Sequence, residues 1–210
     1  MSKIKLPHAS GNSMSIGAPA TNPASDLELK LPATIGSAGQ VLKNSGTAGT
    51  LEFAHGIEVD QWRLPAAISY SSPNSFTFTT WERNDTNFDK IGTGMSHSSG
   101  VFTFPSTGIW EIDYLYALYD AENTAWAGGS IDFSSNSGSS WAARAEGWSS
   151  VTPISSANTY QVGSMSCILD IDNISTHRVR GTFAANVDLT VIGHTNMNRT
   201  FLTFKRLGDT

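Results

Sequence analysis

The sequence predicts an all-β protein, an antiparallel sandwich or barrel preceded by a segment of a different kind. Three observations predict it. Apolar residues recur with period two along nearly every segment after Gln61, most clearly at Trp110, Ile112, Tyr114, Tyr116 and Leu118, the spacing that puts side chains on one face of a strand. The segments are separated by turn-forming clusters such as Ser71–Ser75 and Ser134–Ser140, rich in Ser, Asn, Gly and Pro. Finally, of the 10 Phe, 6 Trp and 5 Tyr, only Phe53 lies before residue 55, so the means of building an aromatic core are confined to 55–210.

Taken in order, the expected strands of that region are Gln61–Ser69, Phe76–Trp81, Lys90–Met95, Val101–Phe104, Ile109–Tyr119, Trp126–Ser134, Trp141–Ser149, Tyr160–Ile171, His177–Ala185, Leu189–His194 and Thr200–Arg206. Many short strands with regular turn signals read as a sandwich or barrel. Trp141–Trp148, WAARAEGW, has helix-favouring Ala, Arg and Glu, but it is only about two turns long and lies between Ser-rich stretches, so a strand is expected. The stretch Ile91–Tyr119 organises the rest. Phe102 and Phe104 share one face, and Pro105-Ser106-Thr107-Gly108 supplies a fixed φ and a residue that tolerates φ > 0. The long strand that follows carries Glu111 and Asp113 on its outer face, then Leu115, Ala117 and Tyr119. An outer face that turns from polar to apolar is expected to be covered, and another subunit is one candidate cover.

SGVFTFPSTGIW followed by alternating aromatics resembles the central hairpin of the tumour-necrosis-factor/complement globular-head jelly rolls, in the versions found in structural proteins of tailed phages, particularly marine ones. Asp60–Leu64 (DQWRL), Trp81–Met95 (WERNDTNFDKIGTGM) and Phe201–Gly208 (FLTFKRLG) fit the same pattern in the same order, over roughly residues 57–210. The resemblance implies an antiparallel jelly roll whose last strand lies mid-sheet near a threefold interface. Leu115, Ala117, Tyr119, Phe201, Leu202 and Phe204 are therefore the expected trimer-interface residues. Lys205 and Arg206 are expected where solvent returns.

Residues 1–54 are dominated by Gly, Ala, Ser, Thr, Asn and Pro. Such a segment buries too little apolar surface by itself to offset an ordering entropy of roughly 1–2 kcal/mol per residue. Composition leaves two readings open, a flexible linker or a segment that shares a core with copies of itself. Leu27, Leu29 and Leu31 alternate with Asp26, Glu28 and Lys30, which favours the second. Leu29–Phe53, LKLPATIGSAGQVLKNSGTAGTLEF, is similar to the stalk motif of phage tail fibres, a leucine-proline strand followed by GQVL, a turn and a closing strand. It departs from that motif in the turn, where the family more often has an acidic residue beside Gly. The resemblance implies an N-terminal anchor and trimeric stalk over 1–54 and a jelly-roll head over 55–210.

Composition narrows the function classes. Charged residues are 15% of 210, net charge is −5 and no basic run occurs, so nucleic-acid binding is not expected. No apolar stretch approaches the ~20 residues that span a bilayer, and Met1–Ser10 lacks the apolar core of a signal peptide, so neither membrane insertion nor export by that route is expected. The single cysteine, Cys167, rules out an intrachain disulfide and alternates with Met165, Leu169 and Ile171, which suits a buried structural thiol.

Catalytic motifs are missing: there is no G-x-S-x-G, H-E-x-x-H or Walker pattern. His8, His55, His97, His177 and His194 sit in Ser-, Thr- or Gly-rich settings that suit surface or turn roles. The acidic pairs Asp85/Asp89, Asp120/Glu122 and Asp170/Asp172 have the chemistry of a glycosidase pair, and with Asn123 and Asn173 that of calcium ligands, but Asp and Asn at strand ends more often cap turns. Some members of the resembled superfamily bind calcium, yet no ligand spacing here identifies a site, so no metal, cofactor or enzymatic activity is expected. Trp126, Trp141 and Trp148 stand where stretches are Gly- and Ser-rich. They read either as core or intersubunit packing or as a sugar-stacking surface.

The expectation is thus a homotrimeric virion structural protein of a tailed phage, located in the particle and assembled in the host cytoplasm. Residues 1–54 would contact other virion proteins and the head would project as a fibre, spike or decoration. The alternative is a receptor-binding, lectin-like adhesin for a host-surface glycan.

Overall fold

Period-two patterning after Gln61 becomes strand along most of its length in the structure, a computed structural model that describes the chain apart from residues 1–2, 8–9, 12, 18–19, 22, 38–39, 46, 73–74 and 155–156. The expected turn at Pro73-Asn74 and His8 lie outside the described residues. Among the described residues there are strands and no helix, and the chain divides into two compact units, Met1–Ala54 and His55–Thr210.

In the first unit β1 (Lys3–Pro7) pairs antiparallel with β2 (Ser13–Gly17), and β3 (Gln40–Asn44) pairs with β4 (Leu51–His55). The expected Leu-Pro strand over Asp26–Pro32 does not form a ladder in one chain. Among the described residues its one bridge joins Lys30 to Thr50, through Lys30 N–H to Gly49 O at 2.7 Å and Leu51 N–H to Lys30 O at 2.8 Å. With no sheet to lie on, Leu27, Leu29 and Leu31 stay 77%, 62% and 74% exposed.

The second unit is a two-sheet antiparallel sandwich. Its strands are β5 (Glu58–Arg63), β6 (Ile68–Tyr70), β7 (Phe76–Thr77), β8 (Glu82–Arg83), β9 (Lys90–Ile91), β10 (Ser96–Ser98) and β11 (Val101–Thr103). These are followed by β12 (Gly108–Asp120), β13 (Thr124–Ser134), β14 (Ala142–Val151), β15 (Thr159–Ile171), β16 (Arg178–Ala185), β17 (Leu189–Val191) and β18 (Phe201–Gly208). The larger sheet runs β6-β17-β12-β18-β5-β8, with β15 also on β12 and β9 on β5; the smaller runs β10-β11-β16-β13-β14, with β7 on β16.

Apart from the hairpins β10-β11 and β13-β14, most neighbours in each sheet are distant in sequence, as β5 beside β18 illustrates, and such crossovers between two sheets are the mark of a jelly roll. Trp141–Trp148 falls largely in β14, a strand as expected. The expected Gln61–Ser69 strand is split at Pro65, which has no N–H for a ladder; Leu64 instead bonds outside it, its N–H to Thr200 O at 2.9 Å. Lys90–Met95 shortens to β9 because Gly92 and Gly94 take φ of 80° and 75°.

The long strand β12 supplies the middle of the core. Its five alternate residues Trp110, Ile112, Tyr114, Tyr116 and Leu118 are at most 1% exposed. Facing them from the smaller sheet are Ile131, Val179 and Phe183, and Phe102 meets Phe204 at 5.0 Å between ring centroids. Tyr116 reaches across to β13 and β14, its hydroxyl donating to Ala127 O at 3.2 Å and to Gly147 O at 3.1 Å. The ring fits because Gly163 has no side chain, since a Cβ there would lie 2.2 Å from the phenol carbon and oxygen.

Candidate functional site

The larger sheet turns one face to the core and the other outward, and β12 sits between β15 and β18 on that outer face. Outward residues pair across the ladders as Glu111 with Ile168 and Lys205, Asp113 with Ser166 and Thr203, and Leu115 with Ser164 and Phe201. Further along, Ala117 faces Val162 and Tyr119 faces Tyr160. The face therefore has a charged end and an apolar end. At the charged end Lys205 donates to Asp113 at 2.7 Å and to Glu111 at 3.3 Å, and the hydrogen bond to Asp113 above all holds its ammonium above the usual lysine range. At the apolar end Leu115, Ala117, Tyr160, Val162 and Phe201 border a recess of about 370 Å³, with the exposed Arg199 also on its lining. Tyr119 and Tyr160 pack ring to ring at 5.6 Å, while Tyr160 and Val162 stay 63% and 53% exposed.

Two residues expected on this face are elsewhere. Leu202 and Phe204 are 0% exposed and belong to the core between the sheets, because alternation along β18 sends Phe201, Thr203 and Lys205 outward and their neighbours inward. Arg206, expected near solvent, is buried and donates from Nε to Thr107 O at 2.9 Å. Ala117 is 8% exposed and offers a partner little area; Leu115, Tyr119 and Phe201 are half-buried. Sequence reasoning missed Tyr160 and Val162. Their signal was the apolar residues on both faces at the start of β15, where Tyr160 and Val162 run out of phase with Met165 and Cys167.

The outer face of the smaller sheet brings together the three tryptophans read as ligand candidates and gives them different settings. Trp126 and Trp148 are 41% and 54% exposed and meet edge to face at 5.3 Å, 77° between planes. Trp148 lies over Gly128, its ladder partner: a Cβ on Gly128 would stand 2.3 Å from the indole Cε3. Trp141 is not an open platform. The Arg180 guanidinium covers its ring at 4.3 Å, and Gly138 packs close to the indole. Arg180 in turn donates from Nε and Nη2 to Asp132 Oδ2 at 3.1 and 3.0 Å, while Ser130 Oγ donates to Asp132 Oδ1.

The other candidates fall into turn and packing roles. Asp120 accepts from Glu122 N–H at 3.1 Å and from Thr124 Oγ1 at 2.6 Å, and Asn173 Oδ1 accepts from Ser175 N–H at 3.0 Å, the local caps that Asp and Asn commonly make. Asp85 accepts from Arg63 at 3.0 Å and Asp89 holds a positive φ of 65° in its turn. Asp172 lies 3.3 Å from His177, and His194 Nδ1 accepts from Asn196 N–H at 2.9 Å. No cluster of three or more His, Cys, Asp or Glu suited to a metal occurs among the described residues. Cys167 is half-buried rather than fully so, and burial pushes its thiol up to about 11.

His97 takes the expected turn role and adds packing to it. It is half-buried against Phe102 at 4.8 Å and Trp62 at 5.4 Å, and its Nε2 accepts from Gly100 N–H at 2.9 Å. Burial lowers its pKa below the ordinary 6.5, since a charged ring would lose water and that accepted hydrogen bond. Stability from the neutral ring is present above the unfolded-state value of about 6.5 and is lost as pH falls from there through the lowered folded value. Thermal melts between pH 7.5 and 5 should show a falling midpoint, with a shallower fall in His97→Gln; an unchanged slope in that variant would exclude His97 as the titrating group.

No protein-family profile matches the sequence, and no curated protein matches it significantly. Solved structures do match the fold. The Eiger TNF of S. frugiperda superposes with a TM-score of 0.58 at 10% identity, covering 72% of this chain and 93% of that one. Murine APRIL superposes with TM-scores of 0.52 in a structure at pH 8.5 and 0.54 in one at pH 5.0, at 14% and 13% identity, over 72% of this chain and 100% of those. The chain thus carries a TNF-like jelly roll. At these identities the likeness establishes the fold alone.

Proposed function

We propose that the protein is a homotrimeric virion structural protein of a tailed phage, in which residues 1–54 form an anchor and shared stalk and residues 55–210 a projecting head. The observation that carries the trimer is the apolar end of the larger sheet's outer face, where Tyr160 and Val162 stand exposed beside Leu115, Tyr119 and Phe201. Apolar surface of this kind, contiguous and flanked by a fixed charge cluster, suits burial against copies of itself, and a closed ring leaves no edge to polymerise. Leu27, Leu29 and Leu31, exposed in the single chain, support a stalk whose core is shared between chains. The virion assignment rests on the sequence resemblance to tail-fibre stalks. Sedimentation equilibrium at micromolar concentration should return the mass of a trimer, and a mass of one 22.5 kDa chain would refute the assembly. Immuno-labelling of intact particles tests the location. A receptor-binding head is the second reading, favoured by the exposed Trp126–Trp148 pair.

A further inference from the structure

We propose that the outer face of the smaller sheet is a binding site for an uncharged pyranose of a surface glycan, with Trp148 as its stacking platform. The inference deepens the receptor-binding reading and rests on it, while standing independently of the virion assignment.

The platform is built, not incidental. An indole on a sheet surface ordinarily leans on its cross-strand partner's side chain. Here the partner is Gly128, and any Cβ there would collide with the ring. The glycine lets Trp148 lie down on the backbone. Trp126 stands edge-on against it at 77°, forming the upright wall of an aromatic corner. An apolar ring laid flat with half its surface in water needs an occupant whose own face is flat and weakly polar, and the C–H face of a pyranose has that character.

Beside the corner lies a recess of about 300 Å³ lined by Ser130, Asp132, Glu146, Thr182 and the two glycines Gly128 and Gly129, among others. This is at the small end of ligand sites, enough for one or two sugar rings in a groove open along the sheet. Its polar groups are held in place. Ser130 Oγ lies 3.1 Å from Thr182 Oγ1 and donates to Asp132, whose other oxygen is fixed by Arg180. Trp141, stacked on that guanidinium at 4.3 Å, is a positioning residue: it holds Arg180, which aims Asp132. Glu146, exposed and opposite Ser130 in the ladder, adds a second carboxylate acceptor. Hydroxyl groups of a sugar are donors, and carboxylates and hydroxyls fixed around a stacking face are their complement.

Charge selects among sugars. Arg180 compensates Asp132, Glu146 has no ion-pair partner among the described residues, and no Lys or His lines the recess. A sialic acid, uronic acid or sulfated sugar would meet net negative charge. A neutral hexose would not. One such contact is weak, and three heads on one assembly would raise its avidity on a repetitive surface.

The full-length protein, fluorescently labelled, is applied to an array of neutral, sialylated, uronic and sulfated oligosaccharides, and neutral hits are titrated in solution by tryptophan fluorescence. Selective binding of neutral glycans is expected. Trp148→Ala should weaken it at least tenfold with an unchanged melting temperature, Trp148→Tyr should restore part of it, and Ser130→Ala should weaken it less. Binding that survives intact in Trp148→Ala, or that is confined to acidic glycans, overturns this site while leaving a receptor-binding head in place. Failure of the wild type to bind any glycan overturns both. The sedimentation mass of the same samples judges the trimer separately.

Discussion

Replacing Tyr119 by aspartate is expected to weaken the proposed trimer. Tyr119 lies on the outward side of β12, at the apolar end of the larger sheet, ring to ring with Tyr160. A carboxylate there would have to leave water when copies close over Leu115, Val162 and Phe201, and burying an unpaired charge costs far more than the lost ring contact. The sandwich of each chain should survive, because Tyr119 is absent from the cluster of buried residues that fills it. Sedimentation equilibrium should show the mass fall while the β circular dichroism spectrum persists. A Tyr119→Asp protein that stays trimeric would place the interface elsewhere. Lys205→Ala makes a useful contrast. Its ion pairs with Asp113 and Glu111 are partly exposed, so their loss should weaken assembly only slightly.

Phe204→Ala is expected to act in the opposite way, destabilising each head without selecting against assembly. The ring is 0% exposed and packs on Phe102 at 5.0 Å in the centre of the sandwich. Truncating a buried phenylalanine typically costs about 3–5 kcal/mol, through lost transfer energy and the cavity left behind. For a domain of this size that corresponds to a fall in melting temperature on the order of 10 °C. The loss should appear equally in the Tyr119→Asp background, since the two side chains lie on opposite faces of the sheet and share no partner. A loss seen only in the assembled protein would return Phe204 to the interface.

The two variants separate what alternation makes legible from what it does not. Period two showed which residues of β12 share a face, and Trp110 through Leu118 are buried as that pattern requires. It also separated Phe201 from Leu202 and Phe204. It did not show which of the two faces looks into the sandwich, because β18 is apolar on both sides near its start. Only the pairing of β18 between β12 and β5, with the smaller sheet closing over one side, assigns Leu202 and Phe204 to the core. The same holds for β15, whose Tyr160 and Val162 became a surface once their ladder with Ala117 and Tyr119 was formed. Leu27, Leu29 and Leu31 show the limit from the other direction: their alternation is plain, yet among the described residues one chain offers them a single bridge at Lys30 and no sheet.

By itself the sequence determined the all-β class, a strand over most of Trp141–Trp148, the aromatic core of residues 55–210 and its likeness to the tumour-necrosis-factor jelly rolls. The class, the strand and the core follow from local periodicity, turn chemistry and where bulky residues are available, whereas the likeness rests on the resemblance of particular motifs such as SGVFTFPSTGIW. Tertiary structure alone decided which aromatics are free. Trp126, Trp141 and Trp148 look alike in sequence, but the bare backbone of Gly128 leaves Trp148 open while Arg180, brought from β16, covers Trp141. The physical reason is distance along the chain. A side chain's exposure is set by the strand laid beside it, and in a jelly roll that strand is usually far away in sequence.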